Sequence, residues 1–257
     1  MSGSWGRILI IGDVHGCLDE LESLIALLLP RSGDRLYFLG DLVDRGPYSV
    51  AVVRRVRDLL AAFPGSIAIA GNHEEKALRH RDKGRPPPDW AGAMADGDWE
   101  FLEGLPLMAA LPEIGAVLVH GGFYPKFFER HGQVGQVPAG WRTARDKQAD
   151  RMRRFLRVRH VSPEGEMVAL GEESAVTRHW SQVYDGCEGF AFFGHDPQLA
   201  PPQPLRGPFA LGLDTGCCFG GRLSAAIVPP GGNPAEAEIV SVPGRRYAEP
   251  RLARVEG

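Results

Sequence analysis

Short apolar runs alternate with helix-forming stretches along the first 80 residues of the chain. The apolar runs are residues 8–11, 36–39 and 66–70. Runs of this length predict buried strands. The stretches that follow them, residues 17–29, 48–62 and 73–80, predict helices. The order β-α-β-α-β-α predicts parallel strands that are joined by right-handed crossovers.

The rest of the chain carries the same pattern less regularly. Further strands are predicted at 117–119, 190–193, 209–214, 222–228 and 237–242, and a short helix at 98–105. Residues 123–180 are interpreted as a variable helical and loop insertion, with a basic amphipathic helix near 144–157 and a turn at 162–165. A loop is expected at 84–90, a C-terminal tail rich in proline and glycine from about 229, and a loose end to that tail after the strand at 237–242. With 257 residues, 44% of them hydrophobic, the chain predicts a single domain spanning 1–257.

Five of the predicted strands end beside a glycine and a side chain that can bind a metal ion. The candidate ligands are Asp13, His15, Asp41, Asn72, His120 and His195. Carboxylate and amide oxygens and imidazole nitrogens are ligands for divalent ions. Because α/β proteins place their chemistry at the carboxyl edge of the sheet, we expect these side chains to converge there.

Six such ligands are too many for one tetrahedral zinc ion and suit two ions that share a carboxylate. Asp41, central in the order, is the expected bridge. Two ions ~3.5–4 Å apart would lower the pKa of a water towards ~7 and so supply the nucleophile for attack on phosphorus. Arg45 is expected to hold phosphoryl oxygens, His73 to protonate the leaving oxygen, and Asp44 to orient His73.

These motifs resemble those of the calcineurin-like metallophosphoesterases. They are GDVHG at 12–16, GDLVDRG at 40–46, GNHE at 71–74, His-Gly at 120–121 and Gly-His at 194–195, in the family's order. The second motif has the form found in the phosphoprotein phosphatase branch. The resemblance implies an α/β fold in which two mixed sheets pack as a sandwich flanked by helices, with a di-metal site at the strand carboxyl ends. It also implies a first ion on Asp13, His15 and Asp41, and a second on Asp41, Asn72, His120 and His195.

One position departs from the protein phosphatases of that branch. They usually carry an arginine directly before GNHE, where this chain has Ala70. The absence of this arginine, and the segment 213–221, resemble symmetrical diadenosine tetraphosphate hydrolases, whereas Glu74 is closer to the protein phosphatases. The sequence therefore predicts symmetrical cleavage of diadenosine tetraphosphate to two ADP, and leaves a serine/threonine protein phosphatase as the alternative. A non-catalytic metal-binding scaffold is a third hypothesis, which His73, Asp44 and Arg45 argue against.

Composition and net charge narrow the classes of partner and the cellular location that the sequence predicts. A net charge of −3 gives no sign of a nucleic-acid partner. Four cysteines without a C-x-x-C pair predict neither a disulfide framework nor a structural zinc site, and fit a reducing cytoplasm. No signal peptide and no membrane span are predicted. The expected partner is a dinucleoside polyphosphate or phosphoprotein substrate, and the expected cofactor is two manganese ions, with iron, zinc or cobalt able to substitute. The oligomeric state stays open.

Several other side chains admit two interpretations. The arginine-bearing segment 142–159, with Lys76 and Lys126, is either a solvated surface or the place where extra phosphates bind. Aromatic residues in 90–141 either pack in the core or stack on adenine. Asp214, beside a glycine-rich turn, is expected to be structural.

Overall fold

The computed structural model describes residues 6–134, 137 and 140–250. Its strands are β1 (Ile8–Ile11), β2 (Arg35–Phe38), β3 (Ile67–Ala68), β4 (Met108–Leu111), β5 (Ala116–Val119), β6 (His160–Val161), β7 (Met167–Val168), β8 (Arg178–His179), β9 (Phe190–Phe193), β10 (Leu205–Gly207), β11 (Ala210–Gly212), β12 (Arg222–Val228) and β13 (Glu238–Pro243). Its α-helices are α1 (Leu18–Leu28), α2 (Ser49–Ala62), α3 (Asn72–Asp82), α4 (Asp96–Glu103), α5 (Pro125–His131) and α6 (Lys147–Met152).

Two five-stranded sheets contain most of the strands. The first has the order β13-β12-β1-β2-β3, and the second has the order β10-β11-β9-β5-β4. In the first sheet β1, β2 and β3 are parallel, as predicted, and β12 runs antiparallel to β1. In the second sheet β9 lies parallel to both β5 and β11, while β4 and β10 are antiparallel. Both sheets are mixed, so the predicted fold class is confirmed.

The sheets pack face to face, with helices on the outer side of the first sheet. Ile8 and Ile10 of β1 contribute to the apolar cluster between the sheets, which also contains Phe192 of β9. Leu9 and Ile11 point the other way, into the cluster that includes α1 and α2. Because both faces of β1 are buried, its sequence is apolar at every position rather than at alternate ones.

The segment between 123 and 180 departs most from the sequence-based expectation. The predicted helix near 144–157 is wrong in extent, since α6 covers only Lys147–Met152 and a 3₁₀ turn follows at Arg153–Leu156. Asp146 caps α6 by accepting a hydrogen bond from the amide of Ala149 at 2.8 Å. Helix α5 was not predicted. The small sheet β7-β6-β8 was not predicted either, because strands of two residues are too short to show a hydrophobic periodicity.

Three smaller expectations also need correction. Strand β4 was not predicted, and the run at 209–214 forms only the three-residue β11, which pairs with the unpredicted β10. The loop expected at 84–90 runs into a 3₁₀ helix at Asp89–Ala93. The chain beyond β13 is not loose up to residue 250, since the amide of Tyr247 donates to the carbonyl of Cys218 at 2.8 Å. The last part of the expected tail, 251–257, lies outside the described residues.

Two expectations from composition can be compared with the described residues. None of their helices combines the length and the apolar composition that a bilayer-spanning segment needs. All four cysteines are free thiols in the structure.

Candidate active site

The six candidate ligands meet where the carboxyl ends of strands from both sheets converge. Asp13 and His15 follow β1, Asp41 follows β2, Asn72 follows β3, His120 follows β5, and His195 follows β9. Asp41 lies at the centre, with its Oδ2 atom 3.6 Å from His15 Nε2 and 3.4 Å from His120 Nε2. It is shared by two groups of potential ligand atoms, one with His15 and His73 and one with His120 and His195. The convergence predicted from the sequence is therefore present.

The backbone at this site is strained. His15 (φ 47°), Asp41 (47°), Asp44 (73°), Arg45 (73°) and His195 (71°) adopt left-handed conformations. Only one other non-glycine residue in the described part of the chain does so. Such conformations cost about 1–3 kcal/mol each and persist only where the surroundings enforce them. Their concentration here indicates that the fold holds these side chains in place for a purpose other than stability.

The buried carboxylate of Glu74 holds the loop that carries Asp41. Its Oε2 accepts hydrogen bonds from the amides of Gly71 and Asp41 at 2.8 and 2.9 Å. Its Oε1 accepts from the amides of Leu42 and Val43 at 2.9 and 3.1 Å. The sequence identified Glu74 only as part of a motif, although its position in the first turn of α3 was a usable sign of such a capping role.

Two glycines allow the carboxylates to approach the backbone. A Cβ atom on Gly71 would lie 2.2 Å from Asp41 Oδ1, and one on Gly194 would lie 2.0 Å from Asp13 Oδ1. Both are far shorter than any allowed contact, so no larger residue fits at either position without moving the site. The glycines that precede Asn72 and His195 are thus a steric requirement.

The imidazole rings are oriented so that their Nε2 atoms face the cavity. His15 Nδ1 lies 2.9 Å from the carbonyl of Val43, and His120 Nδ1 lies 2.7 Å from the carbonyl of Leu39. Because a carbonyl can only accept a hydrogen bond, each Nδ1 donates its proton, and each Nε2 is the ring atom left to bind an ion or a second proton. His120 Nε2 lies 3.1 Å from Asn72 Oδ1. Although burial opposes it, the Asp41 carboxylate raises the pKa of His120, so this contact is satisfied either by a proton on Nε2 or by a cation near both atoms.

The charge balance of the cavity also favours a cation. Burial and the neighbouring charges of Asp214 and Asp41 raise the pKa of Asp13 well above its usual value. Burial lowers the pKa of His15 to about 3, so that its ring is neutral at pH 7. Asp13 Oδ1 and His195 Nε2 are buried and have no hydrogen-bond partner among the described residues. The oxygen and nitrogen donors present here therefore fit divalent ions.

A second set of side chains borders the ligands. His73 Nδ1 lies 2.7 Å from Asp44 Oδ2, and this hydrogen bond lowers the pKa of Asp44 to about 2. Arg45 donates to Nε2 of His15 at 2.8 Å and to Nε2 of His73 at 3.2 Å, and its guanidinium lies 4.9 Å from the ring centroid of Phe219. The Arg45 contact uses the lone pair that a metal on His15 would need. An ion there and this position of Arg45 exclude each other.

Arg159 is a residue that sequence reasoning did not place at the site. Its Nε donates to Asp196 Oδ1 and its Nη2 donates to the carbonyl of His195, both at 2.9 Å. It thereby fixes the strained residue that carries the last candidate ligand. In the sequence, Arg159 is one of several arginines in the segment 142–159. Only the structure shows that its contacts with Asp196 and His195 place it at the site.

Phe219 and Asp214 complete the surroundings. Asp214 accepts a hydrogen bond from the amide of Gly216 at 3.0 Å, which agrees with the predicted structural role. It is also buried and adds negative charge beside Asp13. Phe219 packs under Arg45, and no feature of its sequence position indicated this contact.

The sequence model of the calcineurin-like phosphoesterases matches residues 6–199. The chain belongs to this family. Members of the family are hydrolases that use divalent metal ions, in agreement with the donor groups of the site. The family membership that the motifs predicted is thus confirmed.

Individual relatives cover most of the chain. A symmetrical bis(5'-nucleosyl)-tetraphosphatase of Serratia proteamaculans is 29% identical over 84% of this chain and 88% of its own length. An asymmetrical bis(5'-nucleosyl)-tetraphosphatase, PrpE, of Halalkalibacterium halodurans is 29% identical over 92% of this chain and 94% of its own. A crystal structure described as a "putative diadenosine tetraphosphatase" superposes with a TM-score of 0.68, at 28% identity, and covers 95% of this chain and 96% of the other.

Proposed function

We propose that this calcineurin-like phosphoesterase is a di-metal hydrolase that cleaves diadenosine tetraphosphate symmetrically to two ADP. The observation that carries the proposal is the central position of Asp41 Oδ2, within 3.4–3.8 Å of the Nε2 atoms of His15, His73 and His120. One carboxylate at the meeting point of two donor groups is the arrangement that two ions need. The substrate is supported by the relatives named bis(5'-nucleosyl)-tetraphosphatase.

The ligand assignment follows the resemblance residue by residue. Asp13, His15 and Asp41 would hold one ion, and Asp41, Asn72, His120 and His195 would hold the other. Two such ions would lower the pKa of the attacking water and neutralise charge on the phosphoryl group. Manganese is proposed, with iron, zinc or cobalt as substitutes, because nitrogen and oxygen donors discriminate poorly among these metals.

His73, Asp44 and Arg45 have the proposed catalytic roles. His73 holds a proton at Nε2 for the leaving oxygen, while its Nδ1–H remains on Asp44, 2.7 Å away. Arg45 turns from His15 towards the phosphoryl oxygens, with Phe219 beneath its guanidinium plane. The same movement releases Nε2 of His73 and the lone pair of His15. A non-catalytic scaffold would have no use for this acid and its orienting carboxylate.

The choice of a dinucleotide over a phosphoprotein rests on position 70. Ala70 is 2% exposed and offers no charge, so a phosphomonoester dianion would meet one arginine fewer than in the protein phosphatases. A polyphosphate can compensate through contacts made elsewhere. Of the aromatic residues in 90–141 that could either stack on adenine or pack in the core, Trp99, Tyr124 and Phe127 pack in the core. We further propose a cytoplasmic location and a single domain spanning 1–257, with 123–180 as its insertion.

The products of diadenosine tetraphosphate decide between the candidate reactions. With manganese added, we expect ADP as the main nucleotide product, and a higher kcat/KM than for phosphoserine peptides. Ion-exchange chromatography of a time course gives the answer. ATP plus AMP would instead place the chain with the relatives named asymmetrical, and faster phosphate release from the peptides would favour the protein-phosphatase hypothesis.

Arg159→Gln is expected to weaken binding of the second ion by about 10–100-fold, because His195 loses the contact that fixes its backbone. Titration calorimetry on metal-stripped protein measures both binding steps, and the first should be unchanged. Arg130→Gln is the matched control, since this arginine lies in the same segment and pairs with the exposed Glu166 at 2.6 Å. Equal weakening of both steps, or none, would contradict the role of Arg159, whereas rescue of activity by excess metal would support it.

A further inference from the structure

A large basic cleft lies beside the candidate active site. It has a volume of about 840 Å³, and its wall includes Glu75 and Arg79 of α3 and the region from Arg142 to Arg157. Eight of its fifteen lining residues are lysine or arginine and four are acidic. The volume is typical of a small-molecule site. No aromatic residue lines the cleft, and most of its lining side chains are charged.

Part of this positive charge is not neutralised by the protein. Arg157 and Arg153 form ion pairs with Glu75 and Asp150, at 2.7 and 3.3 Å. In contrast, no carboxylate of the described residues lies within ion-pair distance of Arg145 or Arg154. Unpaired guanidinium groups in a concave wall favour an anion.

Helix α3 connects the cleft to the second group of candidate ligands. Asn72, Glu75 and Arg79 stand at positions i, i+3 and i+7 of α3 and therefore share one face of the helix. Arg79 lies about 10.5 Å along the helix axis from Asn72. The amide of Gly121, next to His120, donates to the carbonyl of Phe155 at 2.8 Å, which ties the arginine-bearing segment to the strand that carries His120.

We propose that this cleft is the subsite for the part of a polyphosphate substrate that lies beyond the scissile phosphate. The inference rests on the proposed function, which it extends from the metals to the rest of the substrate. Arg145 and Arg154 bind the phosphate oxygens through their planar forks. Binding energy gained away from the reacting phosphorus positions the chain for cleavage and replaces the arginine absent at Ala70. Because the cleft contacts phosphates and not bases, it accepts other nucleosides in place of adenosine.

Lys126, which the sequence grouped with this surface, belongs elsewhere. Its Nζ pairs with Glu129 Oε2 at 2.7 Å, and it lines a separate cleft with Pro125 and Arg178. Lys126→Gln therefore removes one positive charge from the same segment of the chain without touching the basic cleft. It is the matched control for substitutions in the cleft.

The test compares wild type, the double variant Arg145→Gln/Arg154→Gln and Lys126→Gln, each loaded with manganese. Two substrates are used, diadenosine tetraphosphate and p-nitrophenyl phosphate, and ADP is added as an inhibitor of the second at constant free manganese. For the double variant we expect KM for the tetraphosphate and Ki for ADP to rise at least about tenfold. We expect unchanged kinetics with p-nitrophenyl phosphate, which does not reach the cleft, and wild-type behaviour from Lys126→Gln.

Each alternative outcome has a defined meaning. Unchanged KM and Ki in the double variant would overturn the subsite, and so would an equal loss with p-nitrophenyl phosphate, which would place the effect at the metals or on the fold. A matching rise in KM and Ki for Lys126→Gln would show that any loss of positive charge from this segment has the same effect. That result would also overturn the subsite. If wild type fails to cleave the tetraphosphate but ADP inhibition is lost in the double variant, the proposed function fails and the anion-binding cleft stands.

Discussion

Asp41→Asn is expected to remove most of the bound metal and to lower turnover by about a thousandfold or more, which corresponds to about 4 kcal/mol of lost transition-state stabilisation. The reason is geometric. Oδ2 of Asp41 faces both donor groups, while Oδ1 is already used by the amide of His73 at 2.9 Å. An amide nitrogen or a neutral oxygen at Oδ2 cannot balance two divalent charges, so neither ion would stay bound.

The measurement pairs metal content, by plasma mass spectrometry after gel filtration, with turnover on p-nitrophenyl phosphate. Asp44→Asn is the matched control, because it removes a carboxylate from the same cavity without removing a candidate ligand. It should retain both ions. Two bound ions and normal turnover in Asp41→Asn would exclude the bridging role. Loss of metal in both variants would indicate that the cavity needs its total charge rather than this one ligand.

The ligands could be found from the sequence because each depends on its immediate surroundings. A buried strand, a glycine and a donor side chain stand next to one another at Ile11-Gly12-Asp13, and again at Asp41 and His195. The contacts at Gly71 and Gly194 explain this grouping, since any Cβ there would collide with a ligand carboxylate. The local sequence therefore contains both the ligand and the glycine that lets a ligand carboxylate come close to the backbone.

Other parts of the site depend on contacts between residues that are far apart in the sequence, so no local sequence pattern predicts them. Glu74 holds the Asp41 loop over 33 residues, and Arg159 fixes His195 over 36. Phe219 reaches Arg45 only because β12 returns beside β1. The two-residue strands β6, β7 and β8 likewise have no periodicity to detect. What the sequence left open is the set of residues that position the ligands, rather than the ligands themselves.

His73→Asn tests the proposed acid, and here both ions should stay bound, since none of the six proposed ligands is removed. Turnover on a phosphoserine peptide or another alkyl phosphate is expected to fall by roughly 10²–10⁴, the usual contribution of a positioned proton donor. An alkoxide must take up a proton as its bond to phosphorus breaks, whereas the terminal phosphate of ADP is weakly basic, so the loss for diadenosine tetraphosphate should be smaller. Asparagine keeps much of the side-chain shape but has no proton to transfer at that position.

The leaving group separates acid catalysis from other roles of His73. p-Nitrophenolate leaves with little help from a proton, so the loss for p-nitrophenyl phosphate should be clearly smaller than the loss for a poor alkyl leaving group. Asp44→Asn should show the same trend at smaller amplitude, because it removes only the carboxylate that orients His73 at 2.7 Å. Equal losses across good and poor leaving groups would mean that the His73 side chain binds the phosphoryl group, and the assignment of the proton donor would pass to another group.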